Sequence, residues 1–172
     1  MRCIAFFFLI LTALSAAYAA PPPVQTVHEV DLKRYAGKWY EIASVPMVFQ
    51  RDCVGDTTAE YTLNADGTIS VNSRCRARNG SISAASGTAT VMPGSGNAKL
   101  EVSYPQIVKG HYWIIGLDQE YRWAVIGEPQ RKYLRILSRT AQLPEEELAR
   151  ALDAARAQGY TLEELRYTQQ SP

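Results

Sequence analysis

The side chains able to do chemistry are few and scattered. The two histidines, His28 and His111, stand far apart, and no Ser-His-Asp order, glycine-rich phosphate loop or zinc-ligand spacing surrounds either of them. That pattern argues against an enzyme and calls for no cofactor. His111 stands where an axial haem ligand near the rim could sit, but a single histidine at a strand end is more often a rim residue. Of the three cysteines, Cys53 and Cys75 remain as an even pair once Cys3 is assigned to a leader. In an exported chain such a pair reads first as one disulfide, with a reactive thiol as the alternative.

The export reading rests on the N-terminus. Arg2 supplies a positive start, residues 4–14 are apolar with only Thr12 interrupting, and Ala17-Tyr18-Ala19-Ala20 offers small residues for cleavage. The expected organisation is a signal peptide over 1–19, a loose proline-rich lead-in over 20–30 and one domain over 31–170. In a Gram-negative host that export leads to the periplasm, with association at the outer membrane as an option. Cys3 precedes the apolar run, whereas a lipidated cysteine follows it. A net charge of +1 with 20% charged residues carries no basic face for nucleic acid.

The domain reads as all-β. Asp31 to Gly37 is one capped helical turn. Strand-like runs follow over 38–45, 57–63, 68–74, 81–92, 99–104, 111–118, 121–127 and 132–138, separated by turns such as Asn64-Ala65-Asp66-Gly67 and Asn79-Gly80. Eight such runs with short connections suggest a sandwich or a closed up-and-down barrel, which leaves no free edge. Pro144 fits the first position of a late helix, Glu145-Glu146-Glu147 suits its N-terminal dipole, and Gly159 ends it. Its single stripe of Leu148, Ala151, Leu152 and Ala155 packs on the outside of a sheet.

Three motifs carry a family resemblance. Gly37-Lys38-Trp39 resembles the Gly-x-Trp signature that opens the first strand of lipocalins. Asp118-Gln119-Glu120-Tyr121 is similar to their second signature, and Arg139, closing Leu134-Arg135-Ile136-Leu137-Ser138-Arg139, to their third. Residues 117–125 and 133–140 look closest to the branch of bacterial lipocalin Blc and apolipoprotein D. The resemblance implies an eight-stranded antiparallel barrel with an external C-terminal helix. It further implies binding of a fatty acid or lysophospholipid near a cell envelope. Gly37, Trp39 and Arg139 are the structural closure: a guanidinium stacked on an indole while its donors satisfy nearby carbonyls.

Strand alternation then assigns inward positions. The candidate ligand contacts are Tyr61, Val71, Leu100, Val102, Tyr104, Tyr112, Ile114, Trp123, Tyr133, Arg135 and Leu137. The runs holding Tyr112, Ile114 and Trp123 are apolar on both faces, so alternation alone does not separate their sides. Arg135 is the sharpest of the set. An inward charge needs a partner, either a lipid head group or Glu41, unless a bulge turns it to solvent. The loop Pro46-Met47-Val48-Phe49 beside the mouth reads as a lid, a membrane-touching tip or a dimer contact. The expected partner is a small hydrophobic ligand, an acyl lipid, bound to a monomer or weak homodimer.

Overall fold

The computed structural model describes residues 21–47, 50–105 and 107–171. The expected signal peptide, with Cys3, and Val48 and Phe49 of the mouth loop lie outside the described residues. After the turn α1 (Leu32–Tyr35) come β1 (Gly37–Ser44), β2 (Cys53–Leu63), β3 (Ile69–Ala77), β4 (Ile82–Val91), β5 (Lys99–Tyr104), β6 (Ile107–Leu117), β7 (Trp123–Gly127) and β8 (Arg135–Ser138). The helix α2 (Glu145–Ala157) and a short β9 (Arg166–Tyr167) complete the order. Neighbouring strands pair antiparallel in sequence, and β1 pairs with both β2 and β8. The sheet is therefore a closed eight-stranded barrel, and β9 adds to the outside of β1. Closure pairs β1 on both sides near its start, so no strand edge is left free at that end of the barrel.

The chain enters this barrel through α1. Asp31 caps the turn, its Oδ1 accepting from Lys33 N at 2.9 Å. Gly37 then takes φ +95°, a region that side chains avoid, and points the chain into β1. Trp39 is fully buried at the closed end, and its indole Nε1 donates to Tyr35 O at 2.8 Å. The Arg139 guanidinium lies 3.8 Å from the Trp39 ring and donates to the carbonyl oxygens of Arg34, Tyr35 and Lys38. One side chain thus ties the end of β8 to α1 and the start of β1.

Two apolar clusters lie on either side of the wall. Ile69, Leu100, Ile114, Ala124, Ile126 and Leu137 fill the inside below the cavity. Ile42, Ile115, Trp123, Val125 and Ile136 face outward and meet Ala151 and Ala155 of α2. Gly116 permits this contact, since a Cβ there would stand 2.9 Å from Ala154 Cβ. Trp123 is accordingly not an inward residue, as the sequence reading had it. It lies under α2, and its indole donates to Glu147 Oε2 at 2.7 Å. Both faces of β7 are apolar because α2 makes a second interior, and that hides the parity.

Other differences have local causes. β2 begins at Cys53, four residues before the expected start, because Asp56 at φ +53° makes a bulge that disguises the alternation. β6 likewise starts at Ile107, not 111. Tyr121 and Arg131, both at φ +59°, delay β7 and β8 to Trp123 and Arg135. Pro144 is the N-cap, one place ahead of the helix. The lead-in is packed, not loose: Val24 and Val30 are buried, and Val27 N donates to Ile114 O at 2.9 Å.

Replacing Arg139 with alanine removes the indole contact and three carbonyl partners. The expected cost is about 2–3 kcal/mol, read by urea denaturation, with affinity for a bound lipid changed less than twofold. An unchanged unfolding midpoint would remove Arg139 from the closure.

Candidate functional site

The barrel encloses a cavity of about 460 Å³ that opens at the end opposite Trp39. Its deep end is formed by Tyr61 of β2, Val71 of β3, Val102 of β5 and Tyr112 of β6. Tyr104 and Tyr133 continue the wall upward, with Arg135 from the start of β8. Of the expected contacts, Leu100, Ile114 and Leu137 point inward yet do not reach this space. They pack in the solid floor beneath it. Lys109, His111 and Lys132 stand toward the mouth, where Ser83 to Ala85 of β4 also border the opening.

Cys53 and Cys75 form a disulfide with a Cα separation of 5.6 Å. It ties the end of the first long loop to β3 at the cavity wall. Closing a loop of 22 residues contributes about 3 kcal/mol through the unfolded state.

Arg135 points inward, and its charge is met. Its Nε lies 2.8 Å from Glu41 Oε2, and both side chains are almost wholly buried. The N–H is not directed at that oxygen, so the pair is a charge contact in which neither atom completes a hydrogen bond. Of the protein groups open to Arg135 from sequence, Glu41 is the partner, and no bulge turns the side chain to solvent. Burial opposes the Arg135 charge, while Tyr133 and Glu41 outweigh it and hold the guanidinium protonated.

Glu41 is fixed from outside the barrel. Above Tyr40 the strands β1 and β2 part, and the C-terminal tail fills the gap. Thr168 Oγ1 donates to Glu41 Oε1 at 2.7 Å, and Gln170 Nε2 donates to the carbonyl oxygens of Glu41 and Thr57. Asp56 N donates to Gln169 O at 2.7 Å. This strap was not legible in the sequence, because apart from the Thr168 contact with the Glu41 carboxylate it works through backbone groups of other strands.

A second polar feature reaches the cavity from below. Tyr35 and Tyr112 hydroxyls are 2.7 Å apart, and Tyr112 donates to Tyr61 at 2.8 Å. The rings of Tyr35, Tyr61 and Trp39 pack against one another beneath. Sequence reasoning placed Tyr61 and Tyr112 but missed Tyr35, which precedes the strand pattern. Its one signal was its place a helical turn before Trp39. Among the described residues no cluster of three His, Cys, Asp or Glu side chains forms a metal site.

Burial pushes the Tyr61 hydroxyl up to about 12, and Tyr35, Tyr112 and Tyr133 also rise above the ordinary tyrosine value of about 10. Below pH 10 these groups are protonated in both states and neutral to stability. Above it the unfolded chain loses protons that the native barrel keeps, so stability falls as pH rises from 10 toward 12. The expected slope is about 1.4 kcal/mol per pH unit for each tyrosine. Denaturation at pH 8, 10 and 11 measures it, and Tyr112→Phe should flatten the slope by about one such share. A slope indifferent to pH would contradict this account of the buried hydroxyls.

Residues 30–170 match the family described as a lipocalin-like domain. The chain is 42% identical over 156 residues to temperature-induced lipocalin-1 of Arabidopsis thaliana, covering 86% of this chain and 83% of the relative. It is 34% identical over 172 residues to the outer membrane lipoprotein Blc of Vibrio cholerae, covering 99% of each, in line with the bacterial likeness read from the sequence. Among solved structures, insecticyanin from the tobacco hornworm Manduca sexta aligns with a TM-score of 0.72 at 20% identity, covering 88% of this chain and 87% of that one. With the closed barrel, the external helix and the three signatures in place, the chain belongs to the lipocalin family, whose members bind small hydrophobic ligands.

Proposed function

We propose that this protein binds one acyl lipid, a fatty acid or a lysophospholipid, in the barrel and stores or carries it within the cell envelope. The observation that carries the reading is the cavity: about 460 Å³, open at one end, walled by apolar and aromatic side chains, with one buried ion pair. That is the form of a small-molecule site, in which apolar wall supplies affinity and a few polar groups supply orientation. Each methylene buried there contributes about 0.8 kcal/mol before ordering costs. No group on the wall needs to react for this function, and the protein is read as a binding protein rather than an enzyme.

Likeness to an outer membrane lipoprotein supports a place in the envelope. Export would proceed by cleavage after Ala19, giving a mature chain that starts at Ala20. A monomer or weak dimer suffices, because one barrel holds the whole cavity.

The test is to fill the space. Val102 lies at the deep end. Val102→Trp should weaken a fluorescent long-chain fatty acid at least tenfold in titration while leaving the thermal midpoint within a few degrees. Equal affinity in wild type and variant would place the lipid outside the barrel.

A further inference from the structure

The hydroxyl chain below the cavity has a direction. In the bond between Tyr112 and Tyr61 the Tyr112 hydroxyl is the donor. A phenol has one proton, so Tyr112 accepts in its other bond and Tyr35 donates to it. The order is Tyr35 to Tyr112 to Tyr61, and each bond strengthens the next. The Tyr61 proton is left over. Among the described residues nothing accepts it, and Tyr61 lines the cavity.

Arg135 adds to the same face. Its Nε lies beside Glu41 without a hydrogen bond, and its two Nη groups make none among the described residues. The Tyr133 hydroxyl, also on the wall, is likewise without a protein partner there. The ionisable groups on the cavity wall are Tyr61 from β2, Arg74 from β3, Tyr104 from β5, Lys109, His111 and Tyr112 from β6, and Glu128, Lys132, Tyr133 and Arg135 leading into β8, with Glu41 of β1 against Arg135. Tyr61, Tyr133 and Arg135 have donors left for the cavity, the Tyr112 proton is spent on Tyr61, and the acceptor beside them is Glu41. Its Oε1 is held by Thr168 and its Oε2 is buried behind the guanidinium. Around Tyr61 and Arg135 the wall therefore offers hydrogen-bond donors, and the Arg135 charge is matched by Glu41.

We propose that the stretch of cavity between Tyr61 at the deep end and Arg135 above it is a site for the acceptor oxygen of an uncharged acyl head, so that the lipid binds head down with its carbonyl on Tyr61 and Arg135 and its chain toward the mouth. This rests on the acyl-lipid reading and adds its orientation and charge state. A carboxylate placed there would meet Glu41 across one guanidinium and leave a buried negative charge unbalanced. An ester carbonyl enters as it is, and a free acid enters together with one proton.

Calorimetric titration of the lipid-stripped full chain at pH 8, in two buffers of different ionisation enthalpy, counts that proton. Laurate should bind with close to one proton taken up, and methyl laurate with none. Tyr61→Phe should weaken both ligands about 3- to 10-fold without altering either count. Glu41→Gln leaves the arginine charge unbalanced, so laurate should then bind without proton uptake and gain at least tenfold over methyl laurate. Laurate bound by the wild-type protein with no proton uptake overturns the head-down site while the acyl reading stands, and this holds even if Glu41→Gln fails to fold. If neither laurate nor methyl laurate binds, the acyl reading fails and takes this site with it.

Discussion

The contact between Arg139 and Trp39 holds the first and last strands of the barrel at one end, and the other features of the molecule are arranged around it. A closed sheet must join its first and last strands, and here the join falls between β8, β1 and β2. The guanidinium 3.8 Å from the indole fixes that join from outside, while three carbonyls of α1 and β1 consume its donors. With the end sealed, Leu100, Ile114 and Leu137 pack as a solid floor and the cavity is confined above them. The same wall presents an outer face to α2, so β6 and β7 are buried on both sides.

Sealing one end also sets the polarity of the space within. The tyrosine chain rises from α1, the element that Arg139 holds, and delivers its last proton at the cavity's deep end. The C-terminal strap closes the same join above Tyr40 and orients Glu41, which balances Arg135. Structural and ligand-facing residues are therefore linked: the groups that close the barrel also hold the polar groups in the cavity. Buried, imperfectly hydrogen-bonded ion pairs contribute little to stability and are costly to break on one side. Their retention in a ligand cavity is better accounted for by recognition than by folding.

Much of this was legible from residue order. In β5, which has one wet and one dry face, alternation identified the sides correctly at Leu100, Val102 and Tyr104, and it also did so at Tyr133, Arg135 and Leu137 around β8, which is buried on both faces. The pairing of Cys53 with Cys75 followed from their positions on one hairpin, although the bulge at Asp56 shifted the register. Trp123 was misplaced because α2 makes the outer face as apolar as the inner one, and periodicity cannot distinguish two interiors. Leu100, Ile114 and Leu137 were correctly turned inward, but depth along the barrel is not encoded in parity, so floor and cavity looked alike. The strap of Thr168, Gln169 and Gln170 had no pattern to betray it.

Native mass spectrometry on the protein exported by its own leader and purified gently tests the central claim most directly. The account predicts a discrete added mass matching one acyl lipid per chain, on a polypeptide two hydrogens lighter than its reduced mass because Cys53 and Cys75 are joined. An empty barrel that also takes up no added acyl lipid would contradict it.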